Sequence, residues 1–329
     1  MNHPEPYPWL QPLPLPDGHR LPCRVLPGPM EGITAGSFCQ IMMRRQLVGA
    51  WITPFIRIST GVPRLARLKE RLAAFHPPAA DAGVAVPPVI VQLMGENIPL
   101  LCATARRLAE LGVAGIDLNC ACPSPIVVRH GAGGARLAHP GWIRDALTAL
   151  RQACPNTGIS VKLRAGLYQA TELPGILAAV REAKPDFTCL HFRTVPELYH
   201  DVPGGWDRLK RARDLLPDQI LFAAGDVFTP RDALGLYQQT GVDGVTPARG
   251  ILRNPWLLTD ILNTLKGSSF PIHTTDEKLD FLREFELLWP AERLARGRNP
   301  CPGPIIELAK NLLGMKHPVV QEWMHPRAS

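Results

Sequence analysis

Short apolar runs alternate with amphipathic segments along most of this chain of 329 residues. Eight runs are candidate strands, at residues 24–27, 50–53, 89–93, 115–119, 158–163, 187–191, 220–224 and 244–246. Between several of them lie segments with helical spacing, most clearly NIPLLCATARRLAELG. Because strand–helix alternation favours parallel strands, and eight units within about 240 residues match a (β/α)8 barrel, the sequence predicts an α/β fold of the TIM-barrel type. A doubly wound open sheet is the alternative, but no G-x-G-x-x-G follows the first run.

The two ends of the chain depart from this repeating pattern. Residues 1–20 are proline-rich, and prolines at that density cannot join a helix or a sheet interior, so we expect a loose N-terminal arm. The barrel is then predicted over residues 21–268. Residues 269–329 contain KLDFLREFELLWPAERLA and GPIIELAKNLLG, which have helical spacing and indicate a C-terminal helical domain. Thr275, followed by two acidic residues, is a candidate start for its first helix.

Composition restricts the class of protein further. With 46% hydrophobic residues the chain can bury a large core, yet no apolar run approaches the ~20 residues of a membrane span. The N-terminus is polar and proline-rich rather than a signal peptide, so we expect a cytoplasmic protein with no membrane contact, and a monomer. A net charge of +7 and a pI near 9.1 favour a polyanionic partner such as nucleic acid.

Most residues that follow the apolar runs are polar or glycine, and in a (β/α)8 barrel these positions form the active site. They include Pro29, Met30, Glu31, Arg57, Gln92, Asn119, Cys120, Cys122, Lys162, Arg164, His191, Arg193, Gly225, Asp226, Ala248, Arg249 and Gly250. Lys162 is the most informative of them, since a lysine inside a strand-like run rarely stays without a partner. We expect it to face a ligand; an ion pair with a barrel carboxylate is the alternative. His191 and Arg193 share one face by strand periodicity.

Two glycine-containing segments, AAGDV and ARGIL, follow the seventh and eighth runs. Barrels commonly hold a phosphate group in these two loops, where glycine lets a backbone N–H approach closely. Arg249 would pair with that phosphate. The joint position of the two segments therefore predicts a phosphate-bearing ligand.

Two cysteines stand one residue apart in AGIDLNCACPSP, residues 114–125. The C-x-C spacing lacks the nearby Cys or His ligands of a zinc cluster, so no metal is expected, and a disulfide between the two would be strained. What remains is one packed thiol and one loop thiol with access to the pocket. Cys122, next to Pro123 and further along the loop, is the better candidate for the exposed thiol.

Nine segments occur in the order and at the spacing of one known family: LPGPMEGIT, VQLMG, IDLNCACPSP, GAGGARL, VKLRAG, LHFRTV, AAGDV, ARGIL and NPWLL. Through them the chain resembles the tRNA-dihydrouridine synthases, most closely the C-type bacterial branch. The resemblance implies an FMN-dependent (β/α)8 barrel with a C-terminal helical domain. It further implies that NADPH supplies the hydride to the flavin, and that the enzyme reduces the 5,6 double bond of a uracil in tRNA.

The resemblance also implies the role of Cys122, which matches the family's catalytic cysteine directly before a proline. Hydride delivery to C6 of the uracil leaves an enolate that needs a proton at C5. A thiol, mostly protonated near neutrality, can supply that proton as a general acid. The target base must leave the RNA stack, because a barrel pocket cannot reach C5 and C6 inside a helix.

Two sets of binding residues follow from the same resemblance. Lys162 would place positive charge near the flavin ring, and Gln92 would hydrogen-bond the ring edge. The cofactor-binding set is Pro29, Met30, Glu31, Gln92, Lys162, His191, Ala224, Gly225, Asp226, Ala248 and Arg249. The tRNA-binding set is Arg57, Asn119, Arg193, Tyr199 and Lys310, the last of these in the helical tail.

Three positions in the phosphate loops depart from the family pattern. Ala224 stands where the family has asparagine, Ala248 stands where it has glycine, and Pro247 has no N–H to donate. We therefore expect FMN binding that persists but is weaker. Two other classes are kept as alternatives: a flavin barrel that reduces a small pyrimidine or another enone, and a flavin-free RNA-binding homologue.

Overall fold

A computed structural model describes residues 7–30, 36–76, 85–295 and 303–324, with the backbone alone over 291–295. Its strands are β1 (Leu13–Pro14), β2 (Arg20–Leu21), β3 (Trp51–Ile52), β4 (Ile56–Ile58), β5 (Val89–Gly95), β6 (Gly115–Cys120), β7 (Gly158–Arg164), β8 (Phe187–His191), β9 (Leu221–Ala224) and β10 (Gly244–Val245). Its helices are α1 (Gly36–Arg44), α2 (Leu65–Ala73), α3 (Ile98–Ala109), α4 (Pro125–Arg129), α5 (Pro140–Ala153), α6 (Leu173–Ala183), α7 (Gly205–Leu215), α8 (Pro230–Thr240), α9 (Arg249–Arg253), α10 (Leu257–Leu265), α11 (Thr275–Ala295), α12 (Gly303–Leu313) and α13 (Pro318–Met324).

The strands from β3 to β10 form one parallel sheet with helices between them. Its order is β10-β9-β8-β7-β6-β5-β3, and β4 pairs with the C-terminal end of β5. The segment around Val25 forms a parallel bridge to Val245 in β10, so this first segment of the barrel lies next to β10 in the strand order. This arrangement confirms the predicted α/β fold of the (β/α)8 TIM-barrel type.

The first predicted strand is reduced to that single bridge. Pro27 and Pro29 lack an N–H, so a regular ladder cannot extend along this segment. The N–H of Leu26 still donates to the carbonyl oxygen of Val245 at 3.0 Å. The segment therefore lies where a first barrel strand belongs, without the hydrogen bonds of a full strand.

β4 is a strand that the apolar pattern did not predict. Pro54 follows the second run, and the chain then returns to β5 opposite Leu93–Gly95. These are the last three residues of β5, so β4 lies at the C-terminal rim of the barrel, just beyond the level of Gln92. The two isoleucines of β4 are buried and Arg57 between them is exposed, as strand alternation requires.

Residues 7–21 cover the N-terminal end of the barrel. β1 and β2 form a short antiparallel hairpin, in which Leu13 pairs with Leu21. Both leucines, together with Leu15, belong to a buried cluster with barrel residues such as Phe187. The hairpin therefore closes this end of the barrel with apolar side chains.

Trp9 anchors the same segment. Its indole is fully buried, donates from Nε1 to the carbonyl oxygen of Val242 at 2.8 Å and lies edge-on to Tyr237, with 5.6 Å between ring centroids. The prediction of a loose arm is therefore wrong for residues 7–20. Prolines do keep the secondary structure short, but the tryptophan and leucines between them occupy buried positions.

Three helices, α11, α12 and α13, follow the barrel where the helical pattern predicts helices. Thr274 and Glu277 form a capping box at the start of α11: Thr274 Oγ1 accepts from the N–H of Glu277 at 3.2 Å, and Glu277 Oε2 accepts from the N–H of Thr274 at 2.7 Å. α11 packs on α1, where Phe281 lies edge-on to Phe38 at 5.8 Å. Among the helices of the described ranges, none is long and apolar enough to cross a membrane.

We expect Trp9→Ala to lower the free energy of unfolding by about 3–5 kcal/mol, the usual cost of removing a buried aromatic side chain. Trp142→Ala is the matched control, because Trp142 is only partly buried and its Nε1 also donates to a carbonyl oxygen, that of Glu96, at 3.0 Å. Urea denaturation followed by circular dichroism measures both values. Equal effects of the two substitutions would contradict an anchoring role for Trp9.

Candidate active site

A cavity of about 430 Å³ opens at the C-terminal ends of the barrel strands. Its wall consists of Pro29, Met30, Pro54, Phe55, Gln92, Asn119, Ala121, Cys122, Pro123, Lys162, Arg164, His191, Tyr199, Ala224, Gly225, Thr246, Ala248, Arg249 and Leu252. These residues come from the first segment, from the end of β3, and from the strands and following loops of β5 to β10. The cavity therefore lies where (β/α)8 enzymes bind their substrates.

Most of the site residues predicted from the sequence line this cavity. They are Pro29, Met30, Gln92, Asn119, Cys122, Lys162, His191, Tyr199, Ala224, Gly225, Ala248 and Arg249. Arg57, Arg193, Asp226 and Lys310 do not belong to the wall, and Glu31 lies outside the described residues.

Several wall residues were not predicted. Pro54 and Phe55 follow the second apolar run directly, so the strand-end rule that found the other wall residues could have found them too. Thr246 ends the eighth run and was assigned to the strand alone. Leu252 lies within α9, and no pattern in the sequence marks it as a wall residue.

The two neighbouring cysteines have different surroundings. Cys122 is partly exposed and lines the cavity. Cys120 is the last residue of β6 and is fully buried, and burial raises the pKa of its thiol. Within the described chain, Cys122 is therefore the cysteine whose thiol reaches the cavity.

Hydrogen bonds from three sides hold the loop that carries Cys122. Asn119 Oδ1 accepts from the N–H groups of Ala121 and Cys122, each at 3.0 Å. The carbonyl oxygen of Cys122 accepts from the N–H of Gly134 at 3.0 Å. Arg164 Nε donates to the carbonyl oxygen of Ala121 at 2.9 Å. The thiol therefore projects from a fixed backbone.

The glycines of GAGGARL are required by this packing. Gly133 has a φ of +56°, and a Cβ there would lie 2.9 Å from the Cβ of Cys122. A Cβ on Gly134 would lie 2.6 Å from Val195 Cγ2 and 3.0 Å from the carbonyl oxygen of Cys122. The contacts of 2.9 and 2.6 Å are too short for a Cβ, so glycine lets this segment approach the cysteine loop.

A chain of buried hydrogen bonds runs below the cavity and ends at the same loop. Ser160 Oγ donates to Asp117 Oδ1 at 2.7 Å, and Gln92 Nε2 donates to Asp117 Oδ2 at 2.7 Å. Gln92 Oε1 in turn accepts from Asn119 Nδ2 at 2.7 Å. A carboxylate only accepts, so Asp117 fixes which way the amide of Gln92 points, and Gln92 fixes the amide of Asn119.

Asp117 itself was not predicted as a functional residue, although a carboxylate in the middle of a buried strand marks it as unusual. It is fully buried, and burial raises the pKa of its carboxyl group to about 6. The hydrogen bonds from Gln92 and Ser160 act in the opposite direction, because they stabilise the charged form.

Lys162 faces the cavity from β7, beside Asn119 on β6. Its ammonium group forms no hydrogen bond or ion pair with any residue of the described ranges. Burial lowers the pKa of this group, while the more distant carboxylate of Asp117 attracts the charge and acts in the opposite direction. The predicted alternative, an ion pair with a barrel carboxylate, is therefore reduced to that longer-range attraction.

Arg164 is two residues further along β7 and is almost fully buried. Its Nη1 donates to the carbonyl oxygens of Thr194 and Leu198, at 2.9 and 3.1 Å. Burial lowers the pKa of its guanidinium group to about 10, so the group stays positively charged near neutrality. Arg164 therefore joins the cysteine loop to the loop after β8.

His191 is buried at the end of β8. Burial, together with the positive charges of Arg164 and Lys162, holds the pKa of its imidazole well below its usual value. The ring is therefore neutral near pH 7. Arg193 Nη1 lies 3.5 Å from His191 Nε2, and since a guanidinium can only donate, Nε2 is the acceptor and Nδ1 carries the hydrogen.

Arg193 and Asp226 form an ion pair beside the cavity rather than in its wall. Arg193 is 1% exposed, and its Nη1 and Nη2 donate to the two carboxylate oxygens of Asp226 at 3.0 and 2.5 Å. Arg193 is therefore not a wall residue, and its contact with the nucleotide stays a prediction. β8 ends at His191, so strand periodicity does not extend to residue 193, and the side chain turns into the protein instead.

Arg249 also binds Asp226 but remains within reach of the cavity. Its Nη2 donates to Asp226 Oδ1 at 2.6 Å, and its side chain is 35% exposed. The guanidinium lies 4.7 Å from the ring centroid of Tyr199. A carboxylate and an aromatic face therefore position this arginine at the mouth of the cavity.

The loops after β9 and β10 have little room for larger residues. Gly225 has a φ of +140°, and a Cβ there would lie 2.3 Å from Phe192 Cε1. A Cβ on Gly28 would lie 2.9 Å from the Cβ of Ala248. The methyl group of Ala248 thus fits because glycine stands opposite it. Pro247, which has no N–H, accepts from the N–H of Gly28 at 2.8 Å through its carbonyl oxygen.

The sequence matches a known protein family over most of its length. The model of the dihydrouridine synthase family matches residues 26–285. The tRNA-dihydrouridine(16) synthase of Vibrio cholerae is 31% identical over 270 residues, which cover 80% of this chain and 80% of that protein. The tRNA-dihydrouridine(16) synthase of Shewanella oneidensis is 29% identical over 258 residues, which cover 77% of this chain and 78% of that protein.

Among solved structures, histamine dehydrogenase from Rhizobium sp. 4-9 is similar to this protein with a TM-score of 0.57 and 13% sequence identity. The match covers 78% of this chain and 48% of that chain, so this protein spans about half the length of that structure. At this identity the likeness concerns the barrel fold alone.

We expect Asn119→Ala to increase the hydrogen-exchange rates of the Ala121 and Cys122 amides by about one to two decades, because both lose their acceptor. Asn119→Asp keeps an acceptor oxygen for the two amides but loses the N–H that Gln92 accepts, so we expect it to retain part of the protection. Exchange followed by mass spectrometry on peptides that span residues 120–123 measures the effect. Wild-type protection in Asn119→Ala would show that Asn119 does not hold the loop.

Proposed function

The chain belongs to the dihydrouridine synthase family, and on that premise we propose that it reduces the 5,6 double bond of one uridine in tRNA, with Cys122 as the proton donor. It is a flavin-dependent oxidoreductase. The observation that carries the proposal is a single cavity that contains the thiol of Cys122 and the ammonium group of Lys162, which forms no ion pair with the described residues. The relatives from Vibrio cholerae and Shewanella oneidensis are both named tRNA-dihydrouridine(16) synthases, which supports position 16 for this protein.

The residues of the cavity fit FMN. Lys162 is a partly buried cation without an ion pair to the described residues, and it suits the anionic form of a reduced flavin. Arg249 and the backbone at Gly225 lie after β10 and β9, where (β/α)8 barrels commonly bind a phosphate group. Bound FMN, reduced by NADPH, supplies the hydride that adds to C6 of the uracil.

The hydrogen-bond chain below the cavity determines what Gln92 and Asn119 can offer a ligand. Gln92 already uses one amide hydrogen and one lone pair, so it retains one donor and one acceptor. Asn119 Oδ1 accepts two hydrogen bonds and Nδ2 donates one, which leaves one N–H. Asn119 therefore presents a donor, which suits a carbonyl oxygen of uracil.

Cys122 then supplies the proton. Its thiol lies in the wall on a backbone that three hydrogen-bonded groups hold in place, so the proton is delivered from a fixed position to C5. His191 is neutral, so it is not an imidazolium acid that could protonate the enolate in place of the thiol. The hydrogen-bond chain and core close the cavity below, so the target base enters from the mouth, extruded from the RNA stack.

Other features suit a tRNA enzyme that works in the cytoplasm. The net charge of +7 favours a polyanion, and Tyr199, 56% exposed at the mouth, offers a ring face for a base. Lys310 lies on α12 outside the cavity, where it would contact RNA and not the target base. The joint presence of Cys122 and Lys162 favours an enzyme over a flavin-free RNA-binding protein.

Three measurements separate the remaining alternatives. Mass spectrometry of tRNA from a deletion strain should find one dihydrouridine missing, at position 16. A flavin absorption spectrum of the purified protein argues against the flavin-free alternative. Reduction of free uracil or a small enone at a rate equal to that of tRNA would instead favour the small-molecule alternative.

We expect Cys122→Ala to lower dihydrouridine formation by about 10²–10⁴-fold while flavin content and tRNA affinity stay unchanged, because only the proton donor is lost. Cys120→Ala is the control: this thiol is fully buried, so its loss affects stability more than activity. Single-turnover assays with tRNA measure the rates. Wild-type activity in Cys122→Ala would remove the thiol from the mechanism.

We expect Arg249→Ala to weaken FMN binding by one to two decades, the equivalent of roughly 1.5–3 kcal/mol for a hydrogen bond to a charged group. Arg253→Ala is the matched control, since Arg253 lies one turn further along α9, over the ring of Phe228 and outside the cavity wall. Titration of apoprotein with FMN, followed by flavin fluorescence, gives both affinities. Equal affinities would place the phosphate elsewhere.

A further inference from the structure

A basic projection stands on one side of the cavity mouth, formed by β4, the loop after it and α2 (residues 56–73). We propose that this projection binds the phosphates of the RNA strand next to the target nucleotide, with Arg64, Arg67 and Arg71 as its contact residues. The proposal rests on the proposed function, since it takes tRNA to be the polyanion that approaches the cavity.

The position of the projection relative to the cavity follows from strand register. β4 pairs with Leu93–Gly95, the last residues of β5, so it lies at the C-terminal rim of the barrel. α2 follows β4 in the chain, and Arg71 Nη1 donates to the carbonyl oxygen of Phe55, itself a wall residue, at 3.3 Å. The side chain of Arg71 therefore lies beside the wall of the cavity.

The projection is also fixed at its other end. Arg107, on α3, donates from Nη1 to the carbonyl oxygen of Pro63 at 2.7 Å, just before α2 begins. On the inner side of α2, Leu68 and Leu72 are buried in the main core. α2 therefore presents its outer surface from a defined position, which lowers the entropic cost of binding a ligand there.

The charge of the projection is strongly unbalanced. Residues 57–71, RISTGVPRLARLKER, contain five cationic side chains and one acidic side chain, that of Glu70. The five cationic residues are all exposed, and within the described ranges none of them forms an ion pair. Their charge is therefore not neutralised by the protein and is available to an external anion.

Three of these cations form a stripe. Arg67 and Arg71 are four residues apart in α2, so they lie on one side of the helix with about 5–6 Å between their Cβ atoms, and Arg64 precedes them as the N-cap residue. Arg71 uses one N–H for the carbonyl oxygen of Phe55 and retains others for a ligand. The stripe therefore includes, at Arg71, a cation that touches the wall of the cavity, next to which the strand that delivers an extruded base must pass.

A second basic helix, α7, lies on the opposite side of the barrel, and ion pairs neutralise half of its cationic side chains. It carries four cations, but Arg208 pairs with Glu197 at 2.7 Å and Arg213 pairs with Asp243. Lys210 and Arg211 remain exposed without an ion pair to the described residues. Together they carry the same charge as Arg64 and Arg67, and they lie four strands away from α2 around the barrel.

The test compares Arg64→Gln/Arg67→Gln with Lys210→Gln/Arg211→Gln, two double variants that lower the net charge equally. Affinity for a labelled tRNA transcript is measured by fluorescence anisotropy between about 50 and 200 mM salt. We expect the α2 variant to bind more weakly and the slope of log K against log salt to fall in magnitude by about 1.4–1.8, two phosphate contacts. The α7 variant should keep the wild-type slope.

Flavin content and the rate of flavin reduction by NADPH without tRNA check that both variants fold and keep their active site. If the α2 and α7 variants have the same slope and affinity while the wild type forms dihydrouridine, the inference about α2 is overturned and the proposed function stands. If the wild type neither binds tRNA nor forms dihydrouridine, both are overturned.

Discussion

A buried carboxylate in the barrel interior imposes the constraint on which the candidate site depends. Asp117 can lie there only if its oxygens accept hydrogen bonds, and Ser160 and Gln92 supply them. These hydrogen bonds fix the orientation of the Gln92 amide, and Gln92 in turn fixes the orientation of the Asn119 amide. Asn119 then holds the backbone of the Cys122 loop. The position of the Cys122 thiol in the cavity wall thus depends on a carboxylate that lies two hydrogen-bonded side chains away from its loop.

A second feature of the site is the way charged groups in and around the cavity are paired. Arg193 and Arg249 share the carboxylate of Asp226, whereas Lys162 forms no ion pair within the described ranges and His191 is held neutral. The cavity therefore keeps positive charge on a partly buried side chain, where an anion is attracted more strongly than in open water. Outside the cavity, the stripe on α2 extends the same sign of charge toward solvent, where salt screens it.

Much of this architecture could be predicted from the sequence, because strand ends meet at one face of a parallel barrel whatever the loops do. That rule placed Lys162, Gln92 and Cys122 correctly in one cavity. It failed where contacts between distant segments decide the structure: β4 forms because the chain after Pro54 pairs with the end of β5, and the N-terminal hairpin is ordered because Trp9 reaches Val242. Arg193 lies outside the cavity wall because β8 ends two residues earlier, so strand alternation does not govern its side chain.

The hairpin and Trp9, which close the N-terminal end of the barrel, have a consequence for the order of events during synthesis. Trp9 and Val242 are 233 positions apart in the chain, and Val25 bridges Val245, so neither contact can form until almost the whole barrel has left the ribosome. Until then the leucines of the first hairpin have no core to enter. Contacts of such long range make barrel closure a late step in folding, and a nascent chain with exposed apolar side chains at its leading end is a natural client for chaperones.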